Sequence, residues 1–364
     1  MNRANIAVTT VIAALTLVVW AFVNRPHPEP AWPERILGFS FSPMRAGQDP
    51  IKGQLPSPDE IDADLALLSG KTHAVRTYSV SGTLGDIPAL ARAYDINVAL
   101  GAWIGGDLVG NDKELGRLIE IAHAHYANIV RVVVGNEAVH RGDVSGPQII
   151  GYLDRVRSEL QTPVSTAEPW YVWLEHPELA EHADYLAVHI LPYWEGVHVD
   201  DAVQYLVERV NQLREAFPGK RIVLAEVGWP SRGRMRGAAV ASLANQATFL
   251  RRFLARADQE RYTYYLIEAF DQPWKRSTEG AVGAYWGVYD VERQPKFAFE
   301  RPVIRVPAWR GLALASILIA AALLALVLVD SVTLRARGRS FLGLVVFGAA
   351  TAAVWIVYDY LQQY

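Results

Sequence analysis

The sequence predicts a (β/α)8 TIM barrel, an α/β fold, carried by one N-terminal and two C-terminal transmembrane helices. Three observations lead there. Eight short apolar runs rich in β-branched residues lie between residues 36 and 269, and most gaps between them carry helix signals. No GxGxxG or GxxxxGK[ST] follows the first run, so the doubly wound open sheet, the alternative for such alternation, lacks its phosphate-loop signature. Finally, three runs near the chain ends contain no charged residue.

The first uncharged run is Ile6 to Val23, followed by Gly311 to Val329 and Phe341 to Tyr358. Each makes a helix of roughly 27 Å at about 1.5 Å per residue, close to the thickness of a bilayer core. Buried core helices are the alternative, and three such runs at the chain ends argue against it. For the first run a cleaved signal peptide is the rival. Trp20, Phe22, Asn24 and Arg25 stand where a small-x-small cleavage site would be, which favours an uncleaved anchor over residues 1–24. Residues 25–35 contain PHPEPAWP and read as an extended linker.

The barrel domain is expected over 36–305. Its strand candidates are 36–41, 74–78, 97–103, 129–135, 163–167, 185–190, 221–225 and 264–269. Ser57 and Pro58 open a helix as N-cap and first-turn proline, and Gly70 closes it. Asn111 is the expected cap of the helix that follows, and 200–217 and 242–257 repeat the helical spacing. Helix signals are weakest after the fifth and eighth runs. Alternating strands and helices imply parallel pairing with right-handed crossovers, and eight units close a barrel.

Residues 306–364 hold the last two spans. The short loop between them carries Arg335, Arg337 and Arg339 and should stay cytoplasmic. That places 25–305 outside and Arg3 inside; Arg25, Arg305 and Arg310 on the outer side weigh against it. The expectation is a multi-pass protein of the cytoplasmic membrane, with the lipid bilayer as partner and the barrel facing periplasm or exterior. Residues 25–305 hold 30 Lys and Arg against 36 Asp and Glu, net −6, and no basic run, which argues against nucleic acid as a partner. The absence of cysteine removes disulfides, thiolate zinc sites and cysteine nucleophiles. No metal site is expected: the histidines are scattered, and His123 and His125 point apart on a helix. No Ser-His-Asp set with a GxSxG elbow occurs.

In a TIM barrel the C-terminal strand ends share one rim, where active sites sit. The fourth run, VVVGNE, ends on Asn136 and Glu137, and the seventh, IVLAEVGWP, presents Glu226. Two carboxylates three strands apart can face each other across the mouth, as a retaining glycosidase requires. Each glutamate alone is more readily a rim ion pair with a neighbouring Arg or Lys. Two in distinctive surroundings favour the chemistry, which needs no cofactor.

Gly135-Asn136-Glu137 after a valine-rich run, with Glu226-Val227-Gly228-Trp229-Pro230-Ser231 after the seventh, resembles the family 17 glycoside hydrolases, the β-1,3-glucanases and glucanosyltransferases. The resemblance covers about 36–298 and points to the bacterial membrane-anchored type. It implies Glu137 as general acid/base, Glu226 as nucleophile, and Asn136 as holder of the sugar 2-hydroxyl. Arg76 and Tyr78 match the family's R-x-Y, and Tyr193 in HILPYW matches its strand-six tyrosine, orienting the nucleophile or contacting sugar. After the eighth run EAFDQPWK places Glu268, Trp274 and Lys275 at matching positions of the fungal and bacterial branch, which implies them as sugar contacts, Lys275 being equally readable as a partner of Glu268, with Gln272 where plant relatives carry an acid. Glu168 resembles an acidic substrate contact. Trp103, Trp170, Trp194 and Trp229 follow strand ends, each readable as a sugar platform or as packing. His189 is equally readable as a satisfied core or rim histidine.

The expected activity is retaining cleavage or transfer of β-1,3-glucan, with elongation, branching or cyclisation of a glucan at the membrane's outer face preferred. A membrane glucan synthase is a possible partner. The alternatives are a plain endo-β-1,3-glucanase and a non-catalytic glucan-binding subunit of such a synthase.

Overall fold

The computed structural model describes residues 3–124, 127–330 and 335–363; His125 and residues 331–334 of the basic loop lie outside that range. The chain divides into two compact units, 30–300 and 1–29 with 301–364.

In the first unit eight parallel strands close a barrel in chain order: β1 Ile36–Ser40, β2 Thr72–Arg76, β3 Asn97–Ala102, β4 Ile129–Asn136, β5 Val164–Pro169, β6 Leu186–His189, β7 Ile222–Val227 and β8 Thr263–Leu266. Phe39 opposite Leu266 completes the ring. Every strand overlaps an apolar run read from the sequence.

Alternation of side chains along a strand sorts the apolar residues into two layers. Ala74, Ala99, Val133, Ala167, Ala187, Val223, Ala225 and Tyr265 fill the barrel interior, mostly with small side chains. The larger cluster, including Phe39, Val75, Leu100, Val134 and Leu224, lies between the strands and the surrounding helices. Both strand faces are therefore buried, which explains why these runs read as near-continuously apolar.

The helices of this unit are α2 Pro58–Leu68, α3 Ile87–Ala91, α4 Leu108–Ala124, α5 Gly146–Glu159, α6 Trp170–Glu175, α7 Leu179–His182, α8 Ala202–Ala216, α9 Leu243–Glu260 and α10 Arg276–Glu279. They follow a helix α1, Arg3–Val23, that belongs to the other unit. Ser57 caps α2 through a reciprocal capping box with Glu60, as Ser-Pro-x-Glu favours. Asn111 does not cap α4, which starts three residues earlier, with Asp107 accepting from the Val109 amide. Asn111 is instead buried within the helix and bonds both the amide and the carbonyl of Gly105, pinning the loop after β3. After β5 and β8, where helix signals were weakest, the connections are short helical turns. Trp32, from the proline-rich stretch, packs on Phe297 and Phe299.

The second unit comprises α1, α11 Trp309–Asp330 and α12 Ala336–Gln363, all long and apolar enough to cross a membrane. Ile12, Ala320, Leu324, Phe347 and Ala350 form its buried seam, and Gly343 lets α12 approach Ile12 where a Cβ would clash at 2.4 Å. Asn24, also buried, accepts from the Val306 amide and donates to the Trp20 carbonyl. Phe22 and Leu326 are among the many apolar residues left exposed on these helices.

Candidate active site

Both glutamates owe their direction to a bulge. Val223 and Ala225 face the barrel interior, so unbroken alternation would turn Glu226 outward into the helix layer. Instead, β7 carries one extra residue against each neighbour: Leu224 and Glu226 pair with the consecutive Val188 and His189, and Leu224 and Val227 span only Tyr264 to Leu266. The extra residue brings Glu226 back into the mouth. β4 does the same against β5, with Val133 to Asn136 opposite Ser165 to Ala167. There Gly135 at φ 83° and Glu137 at φ 55° break the alternation that would otherwise point Asn136 and Glu137 to opposite faces. A Cβ at Gly135 would also fit tightly against Ile149 and Ala138 at 3.2 and 3.3 Å, so the positive φ is the main reason for glycine here.

Arg76, fully buried at the end of β2, joins the two strand ends. Its Nη1 lies 2.9 Å from Glu226 Oε1 and its Nη2 donates to Asn136 Oδ1 at 2.5 Å. Two nitrogens of one rigid fork thus set the nucleophile candidate and the neighbouring amide at a fixed separation. Tyr78 donates a second bond to Glu226 Oε1 at 2.7 Å, with its ring under the Arg76 guanidinium at 4.7 Å. Burial first, then the charges of Glu226 and Glu268, keep the Tyr78 phenol protonated well above its usual range, so it remains a donor.

The residue least legible in the sequence is His189, which lies between the carboxylates. Its Nδ1 is 2.7 Å from Glu137 Oε1 and 3.6 Å from Glu226 Oε2, and the side chain is 2 % exposed. Burial opposes ionisation of Glu137, whereas the hydrogen bond from His189 favours it, and His140 and Arg141 nearby favour it too. One donor atom from each of Glu137, His189 and Glu226 lies within 4.8 Å of the others, close enough to ligate a cation. However, Glu226 Oε1 already accepts from Arg76 and Tyr78, and Glu137 Oε1 from His189, an arrangement suited to handling protons. The clue in the sequence was parity: Ala187 faces the interior, so His189 must as well.

The remaining expected residues divide between mouth and scaffold. Trp103 is 44 % exposed beside β4, with the Arg141 guanidinium 4.3 Å above its ring. Arg141 also bonds the carbonyls of Asn136 and Ile104, so this platform is tied to the Glu137 loop. Lys275 lies 5.6 Å from the Tyr78 ring and pairs with Glu268 at 2.5 Å. Burial works against its charge, but Glu268 and then Glu279 outweigh it and hold the ammonium well above its usual range. Glu268 is itself fully buried beneath that contact, so its partner is Lys275 and no sugar reaches it. Trp274 is half-buried and donates to Gln272, and Trp170 is half-buried under Arg209 at 4.8 Å.

Beyond Glu268, three expectations change. Glu168 is fully buried and accepts from the amides of Val139 and His140, anchoring the loop behind Glu137 where no sugar reaches it. Burial pushes its carboxyl up to about 7 against those two bonds. Tyr193 gives its hydroxyl to the Arg234 carbonyl and packs against Trp194, Trp229 and Trp286, so the phenol that orients Glu226 is Tyr78. Trp229 is fully buried, bonded to the Val240 carbonyl and packed on Phe249, which makes it core.

A profile of the BtgE/BtgC glycoside hydrolase domain matches residues 38–287. Among curated proteins the chain is 26 % identical over 264 residues to the Saccharomyces cerevisiae "Probable family 17 glucosidase SCW4", covering 71 % of this chain and 66 % of that one. It is 25 % identical over 281 residues to the Arthroderma benhamiae glucan 1,3-beta-glucosidase, covering 72 % and 89 %. Of the Aspergillus fumigatus "Probable beta-glucosidase btgE" it spans 45 %. Among solved structures, an active-site mutant of the Rhizomucor miehei beta-1,3-glucanosyltransferase in complex with laminaritriose superposes with a TM-score of 0.65 at 27 % identity, covering 73 % of this chain and 97 % of that one.

Proposed function

The chain belongs to the BtgE/BtgC glycoside hydrolase domain family, and from that premise we propose that it is a retaining enzyme acting on β-1,3-glucan, with Glu226 as nucleophile and Glu137 as acid and base. The observation that carries the reading is the approach of one oxygen from each carboxylate, with the His189 nitrogen, to within 4.8 Å. Retaining glycosidases hold their two carboxyl groups about 5–5.5 Å apart, and inverting ones about 6.5–9.5 Å.

The chemistry follows from the bonds already described. Glu226, oriented by Arg76 and Tyr78, attacks the anomeric carbon while Glu137 protonates the departing glycosidic oxygen. Asn136, fixed by the same guanidinium, faces the sugar 2-hydroxyl, whose bond strengthens as the oxocarbenium character grows. In the second step Glu137, now a carboxylate, takes a proton from the incoming hydroxyl, which displaces Glu226. Trp103, Trp170, Trp274 and Lys275 contribute contacts along the glucan, Trp103 being the exposed platform.

The incoming hydroxyl is that of a second sugar, so the product is a longer, branched or cyclised glucan. Two features support transfer. The Rhizomucor miehei structure is of a glucanosyltransferase, and the three apolar helices would hold the catalyst at the outer face of the cytoplasmic membrane, beside a glucan emerging from it. The test is to incubate the full chain in detergent with β-1,3-gluco-oligosaccharides and follow product length by mass spectrometry and first-formed anomer by NMR. Products longer than the substrate and a β anomer are expected. Shorter products alone would make it a hydrolase, an α anomer would refute retention, and wild-type turnover in Glu137→Ala or Glu226→Ala would refute the roles.

A further inference from the structure

We infer that His189 is the positioning residue of the acid–base carboxyl: as a neutral imidazole protonated on Nδ1, it binds one oxygen of Glu137 and leaves the other to carry the catalytic proton. The inference rests on the glycosidase reading above.

The geometry leaves His189 little choice. Its Nδ1 faces two carboxylates, Glu137 from β4 at 2.7 Å and Glu226 from β7 at 3.6 Å. Two acceptors on one side require a hydrogen on Nδ1. The other nitrogen, Nε2, is buried with no hydrogen-bond partner among the described residues. As an acceptor Nε2 leaves one lone pair unmet, whereas the imidazolium or the other tautomer would leave a buried N–H without an acceptor, the rarer of the two situations in folded proteins. The ring's surroundings hold further charges: Glu168 on β5, Arg76 on β2 through its pair with Glu226, and His140 and Arg141 in the loop after β4. The backbone also locks the ring in place, since Ile190 donates its amide to the Glu226 carbonyl and His189 pairs with Glu226 across the bulge.

The proton count closes over the two steps. Before cleavage Glu137 carries one proton on Oε2 while Oε1 accepts from Nδ1. Glu226 forms its bond to the anomeric carbon, the glycosidic C–O bond breaks, and the leaving oxygen takes the electron pair and the Oε2 proton. Glu137 becomes a carboxylate and its bond from Nδ1 becomes charge-assisted, hence stronger. The hydrogen bond therefore stabilises the transition state more than the ground state, which is what raises the rate. When the acceptor hydroxyl gives its proton back to Oε2 and displaces Glu226, the starting state returns with the imidazole unchanged.

The test compares His189→Ala, His189→Asn and His189→Gln in the full chain in detergent, by the pH dependence of kcat/KM on gluco-oligosaccharides. Losing a donor to a charged group should cost the alanine variant roughly ten- to a hundredfold. A donor favours the ionised carboxyl, so its loss should move the alkaline limb up by about one pH unit. Asparagine, whose amide nitrogen takes the place of Nδ1, should recover most of the rate and return the limb. Glutamine, a methylene longer, should not. On an aryl glucoside with a good leaving group, which needs little acid assistance in the first step, the burst of aryl release should fall much less. A uniform loss with an unmoved limb and no recovery by asparagine would overturn the inference. If the alanine variant does not fold, the asparagine and glutamine pair decides alone. Glu226→Ala and Glu137→Ala, run alongside, separate the two failures: if they retain turnover, the glycosidase reading itself is wrong.

Discussion

Replacing Arg76 by methionine removes the guanidinium bonded to the nucleophile candidate while keeping much of the side-chain volume. The pair it breaks is almost fully enclosed, at 1 % and 7 % side-chain exposure and 2.9 Å. With an effective dielectric constant of about 20, opposite charges at that distance attract by about 6 kcal/mol, an upper figure because the charge centres lie farther apart than the two atoms. Removing one partner of a buried pair typically costs about 3–5 kcal/mol, since the other charge stays buried alone. For a domain of this size that corresponds to a melting midpoint roughly 6–20 °C lower. Turnover should fall further, because Glu226 and Asn136 lose their common support at the same time; about a hundredfold follows if even 3 kcal/mol is lost from the transition state. Arg76→Lys separates charge from geometry. A point ammonium keeps the attraction but cannot serve both Glu226 Oε1 and Asn136 Oδ1, so most of the stability should return and most of the activity should not. Calorimetry and steady-state kinetics on β-1,3-gluco-oligosaccharides measure both. A methionine variant melting within about 2 °C of wild type, with kcat/KM within about threefold, would refute the claim that Arg76 holds the site together.

Three further contrasts are expected. Trp229→Ala should lose about 3–5 kcal/mol of stability as a core deletion, whereas Trp103→Ala should change stability by under about 0.5 kcal/mol and raise KM; thermal melts and kinetics on the same pair check this. Tyr78→Phe should lower kcat/KM roughly ten- to a hundredfold, as expected for a lost bond to a carboxylate, while Tyr193→Phe should cost about 1 kcal/mol of stability and little activity. Glu168, its folded carboxyl raised to about 7, keeps a proton that the unfolded chain loses from about pH 4.5 upward. Its contribution therefore favours the fold in acid and is lost as pH rises to 7. Glu168→Gln should flatten that slope, visible as a smaller difference between melting midpoints at pH 5 and pH 8.

Much of this architecture was legible one-dimensionally because the relevant forces are local. Buried parallel strands need apolar side chains on both faces, which leaves eight continuous apolar runs, and a polar group that ends such a run must lie at a rim. From that alone Glu137 and Glu226 share one end of a barrel, and three charge-free runs of membrane-spanning length lie outside it. The nature of the residues around the glutamates, the arginine and tyrosine after β2 and the asparagine before Glu137, was readable from motif for the same reason: each lies within a few residues of a strand end.

What only the tertiary structure decided is direction. A side chain at a strand end can point into the mouth, into the helix layer or back along the loop, and one inserted residue changes which. The bulges in β4 and β7 turn Asn136, Glu137 and Glu226 together into the mouth; Gly135 hints at the first, and no feature of residues 222–227 announces the second. Glu168 and Trp229, equally close to strand ends, point instead into the protein, one to bind loop amides and the other to fill core. Tyr78 took the role expected of Tyr193 because which phenol reaches Glu226 depends on contacts across the barrel. His189 gained its place for the same reason, since its two partners lie 52 and 37 positions away in the chain. Hydrophobic patterning is set by each residue's own neighbours and can be read along the chain; the meeting of polar groups from β2, β4, β6 and β7 depends on register around a closed ring, which exists only once the ring has closed.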